Sequence, residues 1–520
     1  MKPPIRRFTA WSLLAALLLS IASGAQTRQQ RARPKLVVVL VIDQFRADYL
    51  ERFTGRFGPD GFRRLLREGT YFTNCFYPYA HTETALGHAS IATGTTPDRH
   101  GIAGNRWYDA ERRRFVEAIE DEASPIVGGS ASLTPASPKN LLGTTLADEM
   151  RLSNMGQSRV FGVAIKDRAA ILSTGHSGSG AYWGDSMLGR FITSKYYGDA
   201  LPEWVTAFNE RHPVTASLDE FIRTAAANQL TADFALELIE KERLGTHGAT
   251  DFLFVGFSAN DYAGHRWGPY SPQVEEITVQ TDEILASFLK SLDQRVGRGN
   301  SWLILTADHG VAPTLAQGRD RRLARLPGKN VDSKALRGAV EAALTAKWGE
   351  GPWLVPGPGL YFDRETLRTK NLSASDVTRV AGEAAMTIDG VIGYVSDSSS
   401  EAPAATKEAY QASRFRGRSA DVDIVLEPFA LVDGNRGGTT HGTPYTYDTH
   451  VPLVFVGAAF RAGIHAERVS PTDIAATLAE ALGISPPSLS TGKVLTQALR
   501  PARAAAQPVA APVKRVPARR

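Results

Sequence analysis

Three widely separated stretches repeat one pattern: KLVVVLVID (35–43), DFLFVGFSAND (251–261) and WLILTADHG (302–310). Each is a continuous apolar run that closes on an aspartate. Unbroken runs of Val, Ile, Leu and Phe suit parallel strands buried on both faces. Parallel strands need crossover connections, usually helices, so the pattern predicts an α/β chain. Ligands of such sheets bind at the carboxyl ends of the strands. Asp43, Asp261 and Asp308 all stand at such ends. One aspartate there is explained equally well as a helix cap. Three, with His265 and His309 beside two of them, call for another account. A further strand, VPLVFVG (451–457), follows a glycine-rich loop that carries His441.

A chain of 520 residues, 43% hydrophobic, has ample material for one large α/β domain with an insertion. The strand–helix rhythm holds over 35–314, weakens over 315–420, and returns over 421–499. The middle stretch is therefore read as an inserted α+β cap. It opens on a basic, loop-like part (316–330), followed by a helix from Ser333 to Trp348, a strand from Gly359 to Phe362, a helix from Ser373 to Met386 and a strand from Val391 to Val395. In the flanking parts, helices are expected over 61–68, 231–243, 274–296 and 471–484. Strands are expected over 70–77, 159–165, 169–173 and 421–432.

Both ends differ from the body. Lys2, Arg6 and Arg7 precede a mostly apolar run from Trp11 to Ala22, then small residues to Ala25. Residues 1–25 read as a secretory signal peptide, followed by a leader over 26–34. The apolar run is short for a membrane span. Residues 500–520 form an Ala/Pro/Arg-rich tail, read as disordered. Much of the net charge of +5 sits at these ends, so the balance does not argue for nucleic-acid binding. The single cysteine, Cys75, excludes an internal disulfide; its aromatic neighbours mark it as a buried thiol.

The stretch HTETALGH (81–88) supplies a candidate nucleophile, Thr84, at the start of an expected helix. Thr82 is its local competitor. A threonine hydroxyl needs a base or a metal to become reactive, and the strand-end residues supply ligands. Two zinc ions need about four N or O donors each, with room for substrate. The inventory divides into Asp261, His265 and His441 for one ion, and Asp43, Asp308, His309 and the Thr84 oxygen for the other. Mixed His/Asp donors favour zinc over magnesium. Ions about 3.5–4 Å apart clamp an in-line phosphoryl displacement. Asn105 offers an amide donor, although asparagine is also a common turn former. Lys166 and Arg168, two apart, point to one side if extended and would grip a phosphoryl group; a solvated basic loop is the alternative.

The ordered set resembles the alkaline phosphatase superfamily. It is most similar to the type I phosphodiesterase/nucleotide pyrophosphatase branch and its PafA-like phosphate-irrepressible alkaline phosphatases. The resemblance rests on Asp43, on Thr84 followed by His88, on TGTTPDRHGIAGN ending in Asn105, on ND-x-x-GH, on ADHG and on THG, across about 35–500. It implies a three-layer sandwich with a mostly parallel central sheet. It also implies a two-zinc phosphate monoesterase working through phospho-Thr84, with Asn105, Lys166 and Arg168 on the phosphate oxygens. A phosphodiesterase on the same scaffold is the alternative, and the two cations suit the dianionic monoester better. Leu86 stands where many relatives carry proline. Expected partners are small phosphate esters, not nucleic acid, acting on a periplasmic or secreted monomer without a membrane span. His88, His100, His176 and His450 are expected to orient the ligand carboxylates. His81, His212, His247 and His465 read as ordinary surface or structural residues.

Overall fold

Seven consecutive residues, Leu36–Ile42 (β1), are buried on both faces of the sheet. A computed structural model describes residues 33–320, 328–434 and 437–501. The signal peptide, nearly all of the leader and the tail beyond residue 501 lie outside the described residues.

The main sheet has ten strands. In chain order they are β1, Thr70–Phe76 (β2), Ile126–Val127 (β3), Val160–Ala164 (β4), Gly180–Gly184 (β5), Phe191–Ser194 (β6), Asp251–Phe257 (β7), Ser301–Thr306 (β8), His450–Val456 (β9) and Gly463–Val469 (β10). Their order across the sheet is β10-β2-β9-β8-β1-β7-β4-β5-β6-β3. The central five, β8-β1-β7-β4-β5, are parallel. Antiparallel strands flank them on both sides, and β10 joins β2 in parallel. Val41 pairs with Thr306 on one neighbour and Gly256 on the other. The three aspartate-bearing strands thus end side by side, which brings residues over 200 positions apart to one edge.

Helices complete a three-layer arrangement. Thr84–Thr93 (α1) packs on Asp167–Thr174 (α2), and Ala225–Lys241 (α3) packs on Pro272–Leu292 (α5). Ala259–Trp267 (α4) carries the ND-x-x-GH motif and also packs on α5. In the inserted stretch, Ser333–Trp348 (α6) and Ala374–Ala385 (α7) pack together. They enclose their own core of Val340, Leu344, Trp353, Val377 and Tyr394. Ala404–Ser413 (α8) follows, and Asp473–Leu482 (α9) lies against α1. Residues 34–500 form one compact unit.

Four expectations need correction. The segment 169–173 is the body of α2, not a strand. An apolar run of four or five residues has no period to separate the two, and Gly175 at φ +75° ends the helix. Over 359–362 there are only single bridges, Leu354 with Phe362 and Leu360 with Val422. Pro356 and Pro358 precede them, and proline cannot donate to a ladder. The basic stretch 316–330 begins within a helix, Leu315–Asp320, and 321–327 lies outside the described residues. The pattern at 421–432 breaks at Pro428 into Asp423–Leu426 and Leu431–Val432. The first pairs with Val391–Val395 of the inserted stretch, not with the main sheet.

Candidate active site

Asp43 follows β1 directly, and the next residue reverses the chain. Gln44 sits at φ +61°, a left-handed conformation that costs a non-glycine residue energy. Its backbone N–H donates to Asp308 Oδ1 (3.0 Å), and its side-chain Nε2 donates to Asp261 Oδ1 (2.8 Å). One residue therefore cross-links the ends of all three strands. Gly264 makes room for it: a Cβ there would lie 1.7 Å from Gln44 Oε1. Gly87 of α1 has a comparable reason, since a Cβ would meet Asp308 O at 2.3 Å.

The three expected histidine ligands are all tethered by Nδ1 to a backbone carbonyl. His265 reaches Thr439 O (2.8 Å), His309 reaches Gly310 O (2.9 Å) and His441 reaches Thr82 O (2.6 Å). A carbonyl only accepts, so each Nδ1 carries a proton, and in the neutral ring Nε2 then presents a lone pair. Those lone pairs converge. His265 Nε2 lies 3.2 Å from His441 Nε2 and 3.2 Å from Asp261 Oδ1, and His441 Nε2 lies 3.7 Å from that same oxygen. Tetrahedral zinc with ligands at about 2.0–2.1 Å has ligand–ligand edges of about 3.3 Å. On the other side, His309 Nε2 stands 3.6 Å from Asp43 Oδ1 and 3.5 Å from Asp308 Oδ2. Asp43, Asp308 and His309 form one metal-sized group, and Asp261, His309 and His441 form a second. His309 belongs to both, its ring stacked on His441 at 3.6 Å.

Asp43 Oδ1, Asp308 Oδ2 and His309 Nε2 are buried without a hydrogen-bond partner among the described residues. Buried polar atoms are normally paired. Unpaired acceptors aimed at a common point are the donor set of a divalent cation, so these residues fit a metal centre.

Thr84 is the first residue of α1, after an N-cap Glu83 in extended conformation, and is 1% exposed. It does not cap. Its Oγ1 accepts from Lys166 Nζ at 3.2 Å. The competitor Thr82 is fully buried; its hydroxyl accepts from Gly442 N and donates to Thr443 O, holding the His441 loop. Asn105 Oδ1 accepts from Ala85 N (2.9 Å), and its backbone N–H donates to Glu83 Oε2 (2.8 Å). The Asn105 amide is thereby fixed beside the start of α1 with its NH2 free of these bonds. Leu86 is buried in the core and touches no ligand role.

Lys166 and Arg168 are not on one strand face. Lys166 is the N-cap of α2 and Arg168 lies in its first turn. Lys166 Nζ sits 2.7 Å from Asp43 Oδ2 and 2.5 Å from Asp261 Oδ2, as well as on Thr84. The ammonium bridges one carboxylate from each expected ligand set. Arg168 approaches Asp167 at 3.6 Å, and its Nε is buried without a partner among the described residues.

Electrostatics follow from this crowding. Burial, then the negative charges of Asp261 and Asp308, push Asp43 well above the usual carboxylate range. Burial also raises Asp308 to about 6. For Asp261, burial is outweighed by Lys166 and then His265, which hold it well below that range. Burial lowers His309 and His441, favouring neutral rings, whereas at His265 burial is outweighed by Asp261, which raises it. The Lys166 ammonium touches two of the three buried carboxylates, Asp43 and Asp261, and Arg168 adds a more distant charge.

Of the four histidines expected to orient ligands, only His88 touches a site carboxylate, at 3.5 Å from Asp308 Oδ2. His100 bonds Ser90 and the N–H of Ile102, His176 bonds Gly143 O, and His450 bonds Thr73 O and stacks on Phe76. These three are held by local structure. Gln44 and Glu83 were not singled out from sequence; the only signal is adjacency to Asp43 and to Thr84.

A large α/β sheet whose central strand ends converge on buried Asp and His donors defines an α/β protein with a candidate metal centre beside a buried threonine hydroxyl. Over residues 37–450 the chain matches the family of type I phosphodiesterase / nucleotide pyrophosphatase. It belongs to that family, within the alkaline phosphatase superfamily and of its PafA-like kind. It is 34% identical to alkaline phosphatase PafA of Elizabethkingia meningoseptica, over 94% of this chain and 98% of that protein. It is 33% identical to alkaline phosphatase PhoV of Synechococcus elongatus, over 93% and 98%. The crystal structure of wild-type PafA superposes with a TM-score of 0.85 at 33% identity, covering 90% of this chain and 100% of that one.

Proposed function

We propose that this chain is an alkaline phosphatase that hydrolyses phosphate monoesters through a phosphorylated Thr84. The observation that carries the reading is the meeting of Thr84 Oγ1, Asp43 and Asp261 on one ammonium, Lys166, inside the double Asp/His cluster. Relatives similar over nearly their whole length bear the name alkaline phosphatase, which supports the same reaction class.

Two zinc ions would be held by Asp261, His265 and His441 and by Asp43, Asp308, His309 and Thr84. There they would lower the hydroxyl pKa and neutralise charge on the leaving oxygen. Thr84 Oγ1, its proton released to solvent, attacks phosphorus; the bond to the ester oxygen breaks, that oxygen takes up a proton to leave as the alcohol, and the phosphoryl group rests on the threonine. Water then attacks the same phosphorus and gives up a proton, the bond to Oγ1 breaks, Oγ1 is reprotonated, and phosphate leaves. Lys166, 3.2 Å from Oγ1, stabilises the alkoxide. The Asn105 NH2 and the Arg168 guanidinium serve the equatorial oxygens, where charge concentrates during transfer. The tethered Nδ1 atoms keep each histidine in its metal-binding tautomer.

The family name covers diesterases as well. Lys166 and Arg168 favour the monoester, which carries one more negative charge. Comparing kcat/KM for an aryl monoester and its methyl diester tests this; diester preference would reverse the assignment. No helix among the described residues is long and apolar enough to cross a membrane. The basic and then apolar start of the chain supports export to the periplasm or medium. Cell fractionation checks this.

A further inference from the structure

One side chain of the inserted stretch reaches back into the main α/β body. Arg418 Nη1 donates to Gly101 O (2.6 Å) and to Asn140 O (2.7 Å), carbonyls from two separate loops. Its guanidinium also lies over the Trp107 ring, 5.0 Å from the centroid. Gly101 keeps room for it: a Cβ there would stand 2.9 Å from Nη1. Burial presses the guanidinium below its ordinary pKa, with the charge of Asp109 opposing. Taking a cation out of water to meet neutral carbonyls is unfavourable in itself. The contact therefore calls for an account beyond packing.

All three contacts converge on Asn105. Gly101 lies four residues before it and Trp107 two residues after it. From Asn140 the link runs through hydrogen bonds. Asn140 Nδ2 donates to Ala118 O (3.2 Å), and Ala118 N donates to Asn105 O (2.9 Å). Three routes thus lead from one guanidinium to one asparagine. On its other side Asn105 is clipped to Glu83 and Ala85, the residues flanking Thr84. Arg418 is itself held in a closed turn. Phe415 O accepts from Arg418 N and from Ser419 N, both at 3.0 Å, and Phe415 N donates to Ser419 Oγ (2.9 Å). Arg414 Nη2 donates to Ala420 O (2.9 Å), and the same guanidinium pairs with Asp397 and Asp423. The turn is therefore anchored to the strand Asp423–Leu426.

We infer that Arg418 is a positioning residue: from the inserted stretch it fixes the backbone on both sides of Asn105 and so aims the Asn105 amide at the phosphoryl oxygens. The inference rests on the proposed phosphatase reading, in which that amide serves the equatorial oxygens, and it gives the inserted stretch a part in the reaction. A donor to an oxygen that gains charge must be placed to within about 0.5 Å. Arginine suits the task. Nη1 carries two N–H groups, one for each carbonyl, while the flat guanidinium covers the indole.

The test is a double-mutant cycle read by kcat/KM for p-nitrophenyl phosphate. Arg418→Met keeps an apolar stem against Trp107 and removes the donors. Alone it should lower kcat/KM at least about ten-fold, within the roughly 100-fold that a misplacement of about 1 Å carries. In an Asn105→Ala background the same change should cost almost nothing, because the group it aims is gone. Equal losses in the two backgrounds, or no loss in either, would overturn the inference and leave the phosphatase reading standing. Wild-type protein inert on the ester would overturn that reading and the inference with it. If Arg418→Met does not fold, Arg418→Lys carries the same comparison. It keeps the charge and a donor but not the planar fork. Its smaller loss should likewise vanish in Asn105→Ala, and a loss that persists there would overturn the inference.

Discussion

His265 and His441 point their Nε2 atoms at one another across 3.2 Å, while the Nδ1 of each lies against a backbone carbonyl. In their neutral forms the two rings set lone pairs against each other at that separation. The Asp261 carboxylate joins them at 3.2 and 3.7 Å. A cation between the three turns repulsion into coordination. Removing divalent metal with a chelator should therefore lower the melting temperature as well as abolish turnover. A ligand present at about 100 times its dissociation constant contributes about 2.7 kcal/mol of stability. Calorimetry before and after chelation checks the shift, and an unchanged melting temperature would argue that the cluster binds no metal.

Gln44 provides a second test, independent of chemistry on substrate. Its N–H and its side chain hold Asp308 and Asp261, while its φ of +61° and the bare Gly264 below it are tolerated for that purpose. Gln44→Ala removes one buried hydrogen bond to a charged partner. The expected cost is about 1.5–3 kcal/mol of stability and a roughly 10–100-fold loss of metal affinity. Chemical denaturation and metal titration measure the two separately. Loss of stability with full metal affinity would reduce Gln44 to a purely structural role.

The ion pair between His81 and Asp423 should make stability depend on pH. His81 Nε2 lies 3.4 Å from Asp423 Oδ1, and Asp423 also pairs with Arg414. Burial opposes the charge on His81, but Asp423 outweighs it and raises the imidazole above its usual 6.5. For Asp423, burial is likewise outweighed by His81 and then Arg414, which hold it below 3.8. The raised His81 contributes stability that is complete below the unfolded pKa and is lost as pH rises through the folded one. The lowered Asp423 contributes stability that is present above its unfolded pKa and is lost as pH falls through its folded one. His81→Asn should flatten the loss of melting temperature on the alkaline side relative to wild type. Parallel curves for the two proteins would show that the pair carries no such linkage.

How much of this was legible beforehand depends on distance along the chain. Asp43, Asp261 and Asp308 could be read because each lies within four residues of the end of an apolar run, and adjacency of β8, β1 and β7 did the rest. Thr84 was legible as a helix start within a loaded motif. The partners of Lys166 were not, since nothing local tells a phosphate-facing lysine from one seated between Asp43 and Asp261. Gln44 was invisible for a similar reason: its value lies in a backbone reversal and in a contact 217 residues away. Residues 169–173 misled because a short apolar run fits a strand or a helix equally well. Arg414, Asp423 and His81 meet only because the strand Asp423–Leu426 turns back to the inserted stretch, a pairing no local pattern reveals.

Lys166 should separate binding from chemistry. Its ammonium touches Asp43, Asp261 and Thr84 together. Lys166→Ala leaves the two carboxylates to repel and removes a stabilising charge from the attacking oxygen. The expected loss in kcat/KM is about 10²–10³-fold for a monoester, as for removal of one charge-stabilising donor. The loss should be smaller for a diester, which carries less charge for a cation to offset. Equal losses on both substrates would assign Lys166 to holding the carboxylates alone.

The most direct measurement asks where the phosphoryl group goes. Acid quench during turnover of p-nitrophenyl phosphate, followed by peptide mass spectrometry, should find a phosphoryl group on Thr84. Thr84→Ala should lose both the label and turnover while keeping its zinc. Undiminished monoester hydrolysis by that variant, or a label on another residue, would contradict the account.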